Sequence, residues 1–357
     1  MSEREIFRAE KLPVLQNKVF PTLEDAISCP VGDVVLVQNM NTGLIYNAAF
    51  DSTLVSYDAD YQNEQAHSQT FLRHLENVAA IIDNFFAGKA LIEVGCGKGY
   101  FLNLLKKRGY SIVGVDPAYE GEDPNIIAAS FDPALGITAD GLILRHVLEH
   151  IPCPVDFLKV LRDANGGKGL IYIEVPCFDW ICKNKTWYDI FYEHVNYFRL
   201  SDFRKIFSEV VDAGYLFGGQ YLYIVADLSS LRDPRASSKD RFDMPSGFLD
   251  SVSCYSNVMM KSPGQKNIVW GASSKGVIFS IYMQLYGACV DMAIDINPVK
   301  QGKFMPVSGV QISSPEMALR RMRENDNIFV MNSNYYFEIL NISGEKYNYY
   351  KVDQNAF

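Results

Sequence analysis

The fold is decided by the stretch Leu91-Ile92-Glu93-Val94-Gly95-Cys96-Gly97-Lys98-Gly99-Tyr100-Phe101. An apolar run from Ala90 to Val94, interrupted only by Glu93, predicts a buried parallel strand. Three alternating glycines break this strand, and apolar residues then resume at helical spacing. A strand, a glycine turn and a helix in this order set backbone N–H groups and a helix N-terminus against a bound ligand.

The spacing of the glycines indicates which ligand the turn binds. A dinucleotide fingerprint requires Gly-x-Gly-x-x-Gly, whereas Gly95, Gly97 and Gly99 simply alternate. The carboxylate of Glu93, two residues before the first glycine, would repel a pyrophosphate but suits the cationic amino-acid end of S-adenosylmethionine. We therefore predict S-adenosylmethionine as the cofactor.

A second strand, Ser111 to Val115, supports this prediction because it ends in Asp116, 21 positions after Gly95. A carboxylate at the end of the second strand can accept hydrogen bonds from both hydroxyls of a ribose. The run that ends at Ser130 and Phe131 is expected near the adenine, as its edge and stacking partners. The predicted cofactor-binding residues are Glu93, Gly95, Gly97, Gly99, Asp116, Pro117, Ser130, Phe131 and Arg145.

Composition restricts the class of protein. A length of 357 residues suits two domains, and a net charge of -9 argues against a nucleic-acid binder, which needs a basic face. Seven cysteines without a CxxC pair predict neither a zinc knuckle nor a disulfide framework. The N-terminus lacks the apolar core of a signal peptide, and no run approaches membrane-spanning length. We expect a soluble, cytoplasmic protein that is a monomer or a homodimer.

Apolar periodicity predicts an α/β fold. Strands alternate with helices, including a helix from Gln69 to Phe86 and one that Ser201 caps and that reaches Val211. This alternation predicts a doubly wound, mainly parallel sheet followed by a second, smaller Rossmann-like domain. The predicted division is an N-terminal cap (1–68), a cofactor-binding domain (69–227), a linker with one helix (228–263) and the C-terminal domain (264–357).

Two further segments allow two interpretations each. The N-terminal part, residues 1 to about 70, is either a cap that packs on the next domain or, because paired tyrosines and a histidine lie just upstream of the core, a lid over the cofactor and the acceptor. The turn from Gly271 to Gly276 follows a strand, so it could hold an anion at Ser273, Ser274 and Lys275. On turn chemistry alone, a structural turn is favoured there.

Three stretches together carry a family resemblance. They are Glu149-His150, the run Glu193-His194-x-x-Tyr197-Phe198, and the C-terminal Gly271–Gly276 turn with the segment 295–302, DINPVKQG. With them, the chain resembles the S-adenosylmethionine-dependent C-methyltransferases of deoxysugar biosynthesis, which methylate nucleotide-linked keto sugars. The resemblance runs from about residue 40 to residue 340. It implies a class I methyltransferase core and a cytoplasmic enzyme in a pathway to surface polysaccharide or a glycosylated metabolite.

The chain departs from this family in two places. Family members usually begin with a cysteine-rich zinc module, of which only Cys29 remains here, so we predict no metal. The family motif Tyr-His-Glu-His reads Phe191-Tyr192-Glu193-His194 in this chain. The tyrosine that the family favours as general base is therefore a phenylalanine.

That second departure leaves the reaction open. Methylation of carbon beside a carbonyl needs a base at the C–H group and a donor or cation at the oxygen, and phenylalanine supplies neither. The predicted catalytic residues are His150, Tyr192, Glu193 and His194. The resemblance further implies substrate contacts from Tyr57, Tyr61, His67, Ser68, Ser273, Ser274, Lys275, Asn297 and Lys300.

Three alternatives remain at this point. Methyl transfer to oxygen or nitrogen of a sugar or another small molecule is the nearest, and Phe191 favours it. A binding protein that senses nucleotide ligands without catalysis is the second. An NAD-dependent enzyme is the weakest, because the turn at Gly271 lacks the dinucleotide fingerprint.

Overall fold

The computed structural model describes residues 3–56, 61, 65–237 and 240–354. Tyr57, predicted to contact the substrate, lies outside the described residues. The described chain forms three β-sheets of three, seven and five strands. Among the described residues, no helix combines the length and the apolar character needed to cross a bilayer.

The N-terminal sheet is antiparallel and contains more strand than the sequence predicts. Strand β1 (Glu3–Pro13) pairs with β2 (Val31–Asn39), and β3 (Ile45–Asn47) pairs with the other edge of β2. A short helix, α1 (Leu23–Ile27), lies between β1 and β2. Two register shifts interrupt β1, which removes the period of two that would reveal a strand.

The central sheet has the predicted doubly wound topology. Its strand order is β6-β5-β4-β7-β8-β10-β9; the first five strands are parallel, and β10 is antiparallel to both of its neighbours. The strands are β4 (Leu91–Val94), β5 (Ile112–Val115), β6 (Ile126–Ile127), β7 (Gly141–Arg145), β8 (Leu170–Pro176), β9 (Val210–Leu216) and β10 (Tyr221–Asp227).

Five helices flank or extend this sheet. The first, α2, has the predicted bounds because its apolar stripe, which includes Leu75, Val78 and Ile82, is buried against the sheet. The helices are α2 (Gln69–Phe86), α3 (Tyr100–Lys107), α4 (Pro154–Ala164), α5 (Phe178–Asn184) and α6 (Leu200–Ile206).

The helix predicted from Ser201 to Val211 is a correction. Helix α6 ends at Ile206, and Val210 begins strand β9. The cap is also different: the carboxylate of Asp202 accepts hydrogen bonds from the backbone N–H and the guanidinium of Arg199. Because Val210 and Val211 are β-branched, pairing with β10 suits them better than a helix does.

The third sheet is parallel and has the order β13-β12-β11-β14-β15. A helix, α7 (Asp250–Met260), precedes it. Its strands are β11 (Asn267–Trp270), β12 (Met292–Ile294), β13 (Ile312–Ser313), β14 (Asn327–Val330) and β15 (Asn348–Lys351), and its helices are α8 (Lys275–Leu285), α9 (Pro315–Arg321) and α10 (Tyr336–Ser343).

An aromatic insertion, residues 178–198, joins the three sheets. Its Trp187 stacks on Phe279 of α8, with ring centroids 5.8 Å apart, and also contacts Tyr282. The same buried cluster includes Leu12 and Leu36 of the N-terminal sheet. The insertion therefore packs between helix α8 and the N-terminal sheet.

Candidate active site

The glycine turn after β4 has backbone geometry that only glycine adopts easily. Gly95, Gly97 and Gly99 all have positive φ angles, of 72°, 53° and 76°. A Cβ atom on Gly95 would lie 2.3 Å from Val147 Cγ2, whereas one on Gly97 would meet nothing within 4 Å. The turn thus packs on one side and leaves an open cradle at Gly97.

Glu93 directs an unsatisfied carboxylate into the cavity. The residue is 3% exposed, and its Oε2 has no hydrogen-bond partner in the described part of the chain. Burial raises the pKa of Glu93 to about 7, although the guanidinium of Arg145 opposes the shift. A cationic group beside this oxygen would satisfy it, so the turn fits the amino-acid end of S-adenosylmethionine.

Asp116 supports the turn. Its carboxylate accepts hydrogen bonds from the N–H groups of Gly97 and Ala118, both at 2.8 Å. The residues predicted to contact the adenosine do not form a pocket wall together: Pro117 and Ser130 are exposed, and Phe131 packs in the core at 3% exposure. The structure therefore does not offer Phe131 for stacking. Glu93, Gly95, Gly97 and Arg145 line the cavity, whereas Gly99, Asp116, Pro117, Ser130 and Phe131 do not.

A buried carboxylate, Glu174 of β8, organises the wall next to the turn. Glu174 is fully buried and contacts His74 Nε2 at 2.8 Å and Arg145 Nε at 3.1 Å, and it accepts a hydrogen bond from the hydroxyl of Tyr172 at 3.0 Å. Burial opposes ionisation, but Arg145 and the histidines hold the pKa of Glu174 well below its ordinary value. Sequence reasoning missed this residue, although a lone acid in the apolar strand LIYIEVP is a usable signal.

His146 connects this network to the next one. Its ring nitrogens lie 3.2 Å from Glu174 Oε1 and 3.4 Å from Glu149 Oε1. Burial lowers the pKa of His146, but the two carboxylates raise it by more, to about 9. Its backbone has a φ of 52°, which a non-glycine residue seldom adopts. His146 was also missed, and it lines the cavity.

Glu149, His150 and His194 form a second group on the cavity wall. A ligand atom from each of the three lies within 4.8 Å of the others, and the two imidazole rings meet edge to face at 5.0 Å. His150 Nδ1 lies 3.1 Å from the carbonyl oxygen of Glu193. Burial and the neighbouring His150 lower the pKa of His194 to about 3, so His194 is neutral at pH 7.

Of the other predicted catalytic residues, Tyr192 faces away from the cavity. It is 1% exposed, and its hydroxyl accepts a hydrogen bond from the N–H of Asp51 at 2.8 Å. The hydroxyl of Tyr192 is thus held by the backbone of Asp51, and Tyr192 is absent from the lining of the cavity. Phe191 does line the cavity and packs against His194, whereas Glu193 reaches the site through its backbone carbonyl.

The C-terminal face of the cavity carries cations that are already paired. Lys275 Nζ lies 3.0 Å from Asp189 Oδ2 and donates to Gln220 Oε1 at 3.1 Å. Lys300 is buried, lies 3.4 Å from Asp295 Oδ2 and donates to Ser273 Oγ. The partners Asp189 and Asp295 were not foreseen.

Two further polar residues, Asn297 and Ser274, lie on the same face of the cavity. Asn297 is buried, and its Nδ2 has no hydrogen-bond partner among the described residues. Ser274, with a φ of 43°, donates to Asn17 Oδ1 at 2.8 Å, so this part of the turn binds the N-terminal cap. Ser273, Ser274, Lys275, Asn297 and Lys300 all line the cavity.

The predicted substrate contacts near residue 68 also reach the cavity. Tyr61, His67 and Ser68 line it, with His67 exposed. Ser68 has a structural task as well: its hydroxyl caps α2 and donates to Glu338 Oε2 at 2.7 Å. This contact joins α2 to α10 of the C-terminal unit.

All these surfaces enclose one cavity of about 460 Å³. The glycine turn forms one wall, the Glu149–His150–His194 group a second, and the C-terminal unit a third. A cavity of this size accommodates a small-molecule ligand. Parallel strands end at this edge of the central sheet, where open α/β folds bind their ligands.

Comparisons with known proteins agree with this geometry. Residues 64–210 match a family model described as a methyltransferase domain, and residues 257–348 match one described as a C-methyltransferase C-terminal domain. The chain is 26% identical over 267 residues to the C-methyltransferase NovU of Streptomyces niveus. That alignment covers 65% of this chain and 64% of NovU, so the chain spans less than two thirds of that relative.

Solved structures give weaker similarity. The PH0226 protein from Pyrococcus horikoshii OT3 is 14% identical, with a TM-score of 0.38, over 50% of this chain and 100% of that one. A SAM dependent methyltransferase from Archaeoglobus fulgidus is 18% identical, with a TM-score of 0.33, over 45% and 100%. At these scores the assignment of the fold depends on the strand order of the chain itself.

Proposed function

The chain belongs to the methyltransferases that carry a C-methyltransferase C-terminal domain. From this premise, we propose that it methylates the carbon beside the carbonyl of a nucleotide-linked keto sugar, with S-adenosylmethionine as methyl donor. One observation carries the proposal. The cofactor turn, the Glu149–His150–His194 group and the C-terminal unit face a single cavity of about 460 Å³. Donor and acceptor can therefore be held together, as in-line displacement requires.

The cofactor would be held by the turn after β4. Glu93 supplies a carboxylate for the cationic amino group, and the cradle at Gly97 admits close approach of the ligand to the backbone. Asp116 keeps the turn in shape by accepting a hydrogen bond from the N–H of Gly97, and it stays a predicted contact of the ribose. When bound, S-adenosylmethionine supplies an electrophilic methyl group on its sulfonium. Gly95, Gly99, Pro117 and Ser130 stay predicted contacts of the same ligand.

The acceptor would face the Glu149–His150–His194 group. Removal of a proton from carbon leaves negative charge on the neighbouring oxygen, and both must be managed at the cavity wall. The hydroxyl of Tyr192 is bound to the backbone of Asp51, whereas this group presents polar side chains to the cavity, where the reacting end of the sugar would lie. The carbonyl of Glu193 fixes the orientation of His150.

The nucleotide of the acceptor would lie against the C-terminal unit. Lys275, Lys300 and Asn297 line that wall, and an incoming diphosphate would compete with Asp189 and Asp295 for the two lysines. We further propose the predicted division at residues 68, 227 and 263, a cytoplasmic location, and a place in deoxysugar or polysaccharide biosynthesis.

The test uses S-adenosylmethionine with a ¹³C-labelled methyl group and a panel of nucleotide-linked keto and hydroxy sugars. Carbon NMR of the product separates a methyl on carbon from a methyl on oxygen. We expect a carbon-bound methyl on a keto sugar, and His150→Ala should bind S-adenosylhomocysteine normally but give no product. Full turnover of His150→Ala, or the absence of any methylated sugar, would contradict the proposal.

A second candidate is methyl transfer to a hydroxyl group. Phe191 favours it, because this ring lines the cavity and packs against His194 where the related family has a tyrosine. A hydroxyl acceptor needs only modest help from one histidine. An oxygen-bound methyl in the same experiment would establish this reaction instead.

A further inference from the structure

The group formed by Glu149, His150 and His194 has the composition of a metal site. Two imidazoles and one carboxylate converge, with a ligand atom of each within 4.8 Å of the others. All three side chains line the cavity. We propose that this group binds one divalent first-row transition-metal ion, with its remaining coordination positions open to the acceptor.

The carboxylate is ready to act as a ligand. Glu149 is 2% exposed, and its Oε2 has no hydrogen-bond partner among the described residues. Its other oxygen, Oε1, lies 3.4 Å from His146 Nδ1. A buried carboxylate oxygen without a hydrogen-bond donor is unfavourable, and a metal ion would satisfy it. His146, next to the other oxygen, would keep the carboxylate oriented toward the ion.

His150 is fixed in a manner typical of metal ligands. His150 Nδ1 is within hydrogen-bond distance of the carbonyl oxygen of Glu193, at 3.1 Å. A ring N–H that donates to a backbone carbonyl leaves the other nitrogen with its lone pair, and metal-binding histidines usually show this arrangement.

The two chain segments that supply the ligands are locked together. Asn196 Nδ2 donates to the carbonyl oxygens of Leu148 and Ile151, at 3.3 and 2.6 Å, and the N–H of Asn196 donates to the carbonyl of Glu149 at 3.0 Å. These three bonds hold the turn that carries Glu149 and His150 against the segment that carries His194. The site is therefore preorganised rather than assembled by the ion.

A neighbouring group shows that two histidines and one carboxylate do not by themselves make a metal site. His74, His146 and Glu174 also lie close enough to share an ion. There, however, both oxygens of Glu174 are engaged, one by His74 and the other by Arg145 and Tyr172. No oxygen of Glu174 is therefore left for an ion, and we do not extend the proposal to that group.

The donor set restricts the ion. Two imidazole nitrogens and one carboxylate oxygen suit Zn²⁺, Mn²⁺, Fe²⁺ and Co²⁺ better than Ca²⁺ or Mg²⁺, which prefer oxygen ligands. An ion at this site would polarise the carbonyl of a keto sugar as a Lewis acid. This would make the adjacent C–H more acidic. Because coordination occupies the lone pairs of His150 and His194, the carbon proton would pass to a hydroxide held at an open position of the ion. That catalytic use rests on the proposed function, whereas binding of the ion does not.

Co²⁺ is the probe for the test, because its visible absorption reports the ligands. Purified protein is stripped with a chelator, dialysed and titrated with Co²⁺. We expect one ion per chain and d–d bands without the thiolate charge-transfer band that coordination by cysteine would produce. Glu149→Gln and His194→Ala should weaken binding at least about 100-fold, since loss of a second-shell partner alone weakens binding about 10–100-fold.

Controls separate the possible failures. His67→Ala removes an exposed histidine of the same cavity and should leave the Co²⁺ spectrum unchanged; circular dichroism confirms that each variant is folded. No bands in the wild type, a thiolate band, or bands that persist in both ligand variants would overturn the metal site. If stripped protein methylates a sugar at full rate, the catalytic use fails and the proposed function stands. If Co²⁺ binds but no sugar is methylated, the function fails and the site stands.

Discussion

Replacement of Glu93 by glutamine should separate stability from cofactor binding. The substitution keeps the shape of the side chain and removes its charge. Burial raises the pKa of Glu93 from 4.5 to about 7, a difference of about 2.5 units, or about 3 kcal/mol at 1.36 kcal/mol per unit. The wild-type carboxyl group holds its proton more tightly in the folded protein than in the unfolded chain. Wild-type stability therefore falls as the pH rises from about 4.5 to about 7 and stays reduced above that.

The glutamine variant does not titrate at this position. The free energy of unfolding of the variant should be close to that of the wild type at pH 5 and about 3 kcal/mol higher than that of the wild type at pH 8. With an unfolding entropy of about 2.1 cal/mol/K per residue, this corresponds to a rise of about 4 °C in the melting temperature of the 357-residue chain. Denaturation at both pH values measures the difference, and Glu122→Gln, at an exposed acid, is the matched control.

The same variant should bind the cofactor less well. The cationic amino group would lose a charged hydrogen-bond partner, which is worth about 1.5–3 kcal/mol, or about 10–150-fold in affinity. Isothermal titration with S-adenosylhomocysteine at pH 8 measures this loss. A variant with unchanged affinity, or one without extra stability at pH 8, would refute the reasoning about Glu93.

Three further predictions concern neighbouring side chains. Asp116→Ala removes the acceptor for the N–H groups of Gly97 and Ala118 and should weaken cofactor binding at least about tenfold in the same titration, with the fold retained. Tyr192→Phe should lower the free energy of unfolding by about 1 kcal/mol and leave turnover intact; loss of turnover would support the catalytic role predicted for Tyr192. Glu174→Gln should destabilise by about 3–5 kcal/mol in urea denaturation, because Arg145, whose side chain is 10% exposed, loses the counter-charge of this carboxylate; a neutral result would contradict the network.

Local patterns predicted the parts of the fold that depend on local interactions. The glycine turn and α2 (Gln69–Phe86) lie where predicted, because steric demands at Gly95 and Gly97 and an apolar stripe are visible in sequence. Strand β1 was not predicted because bulges disturb its alternation. Val210 and Val211 were predicted to continue a helix, but they begin strand β9. The strand forms by pairing with β10, and that pairing cannot be identified from the local sequence.

In the candidate site too, the sequence reveals single residues but not their distant partners. Glu93, His150 and His194 are recognisable from motifs, and the structure brings them to one cavity. What the sequence could not reveal is pairing between distant residues. Lys275 and Lys300 were predicted to contact the substrate, but the sequence does not show that Asp189 and Asp295 pair with them. Glu174 and His146 acquire their importance only when β7 and β8 lie side by side.

The central claim is that the Glu149–His150–His194 group handles proton removal from carbon. Deuterium exchange tests it most directly: a nucleotide-linked keto sugar is incubated in D₂O with the protein and S-adenosylhomocysteine, which cannot donate a methyl group. We predict, by NMR, that deuterium enters at the carbon beside the carbonyl with the wild type and does not with His150→Ala. Equal exchange by both proteins, or methylation of the keto sugar by a protein that shows no exchange, would contradict the account.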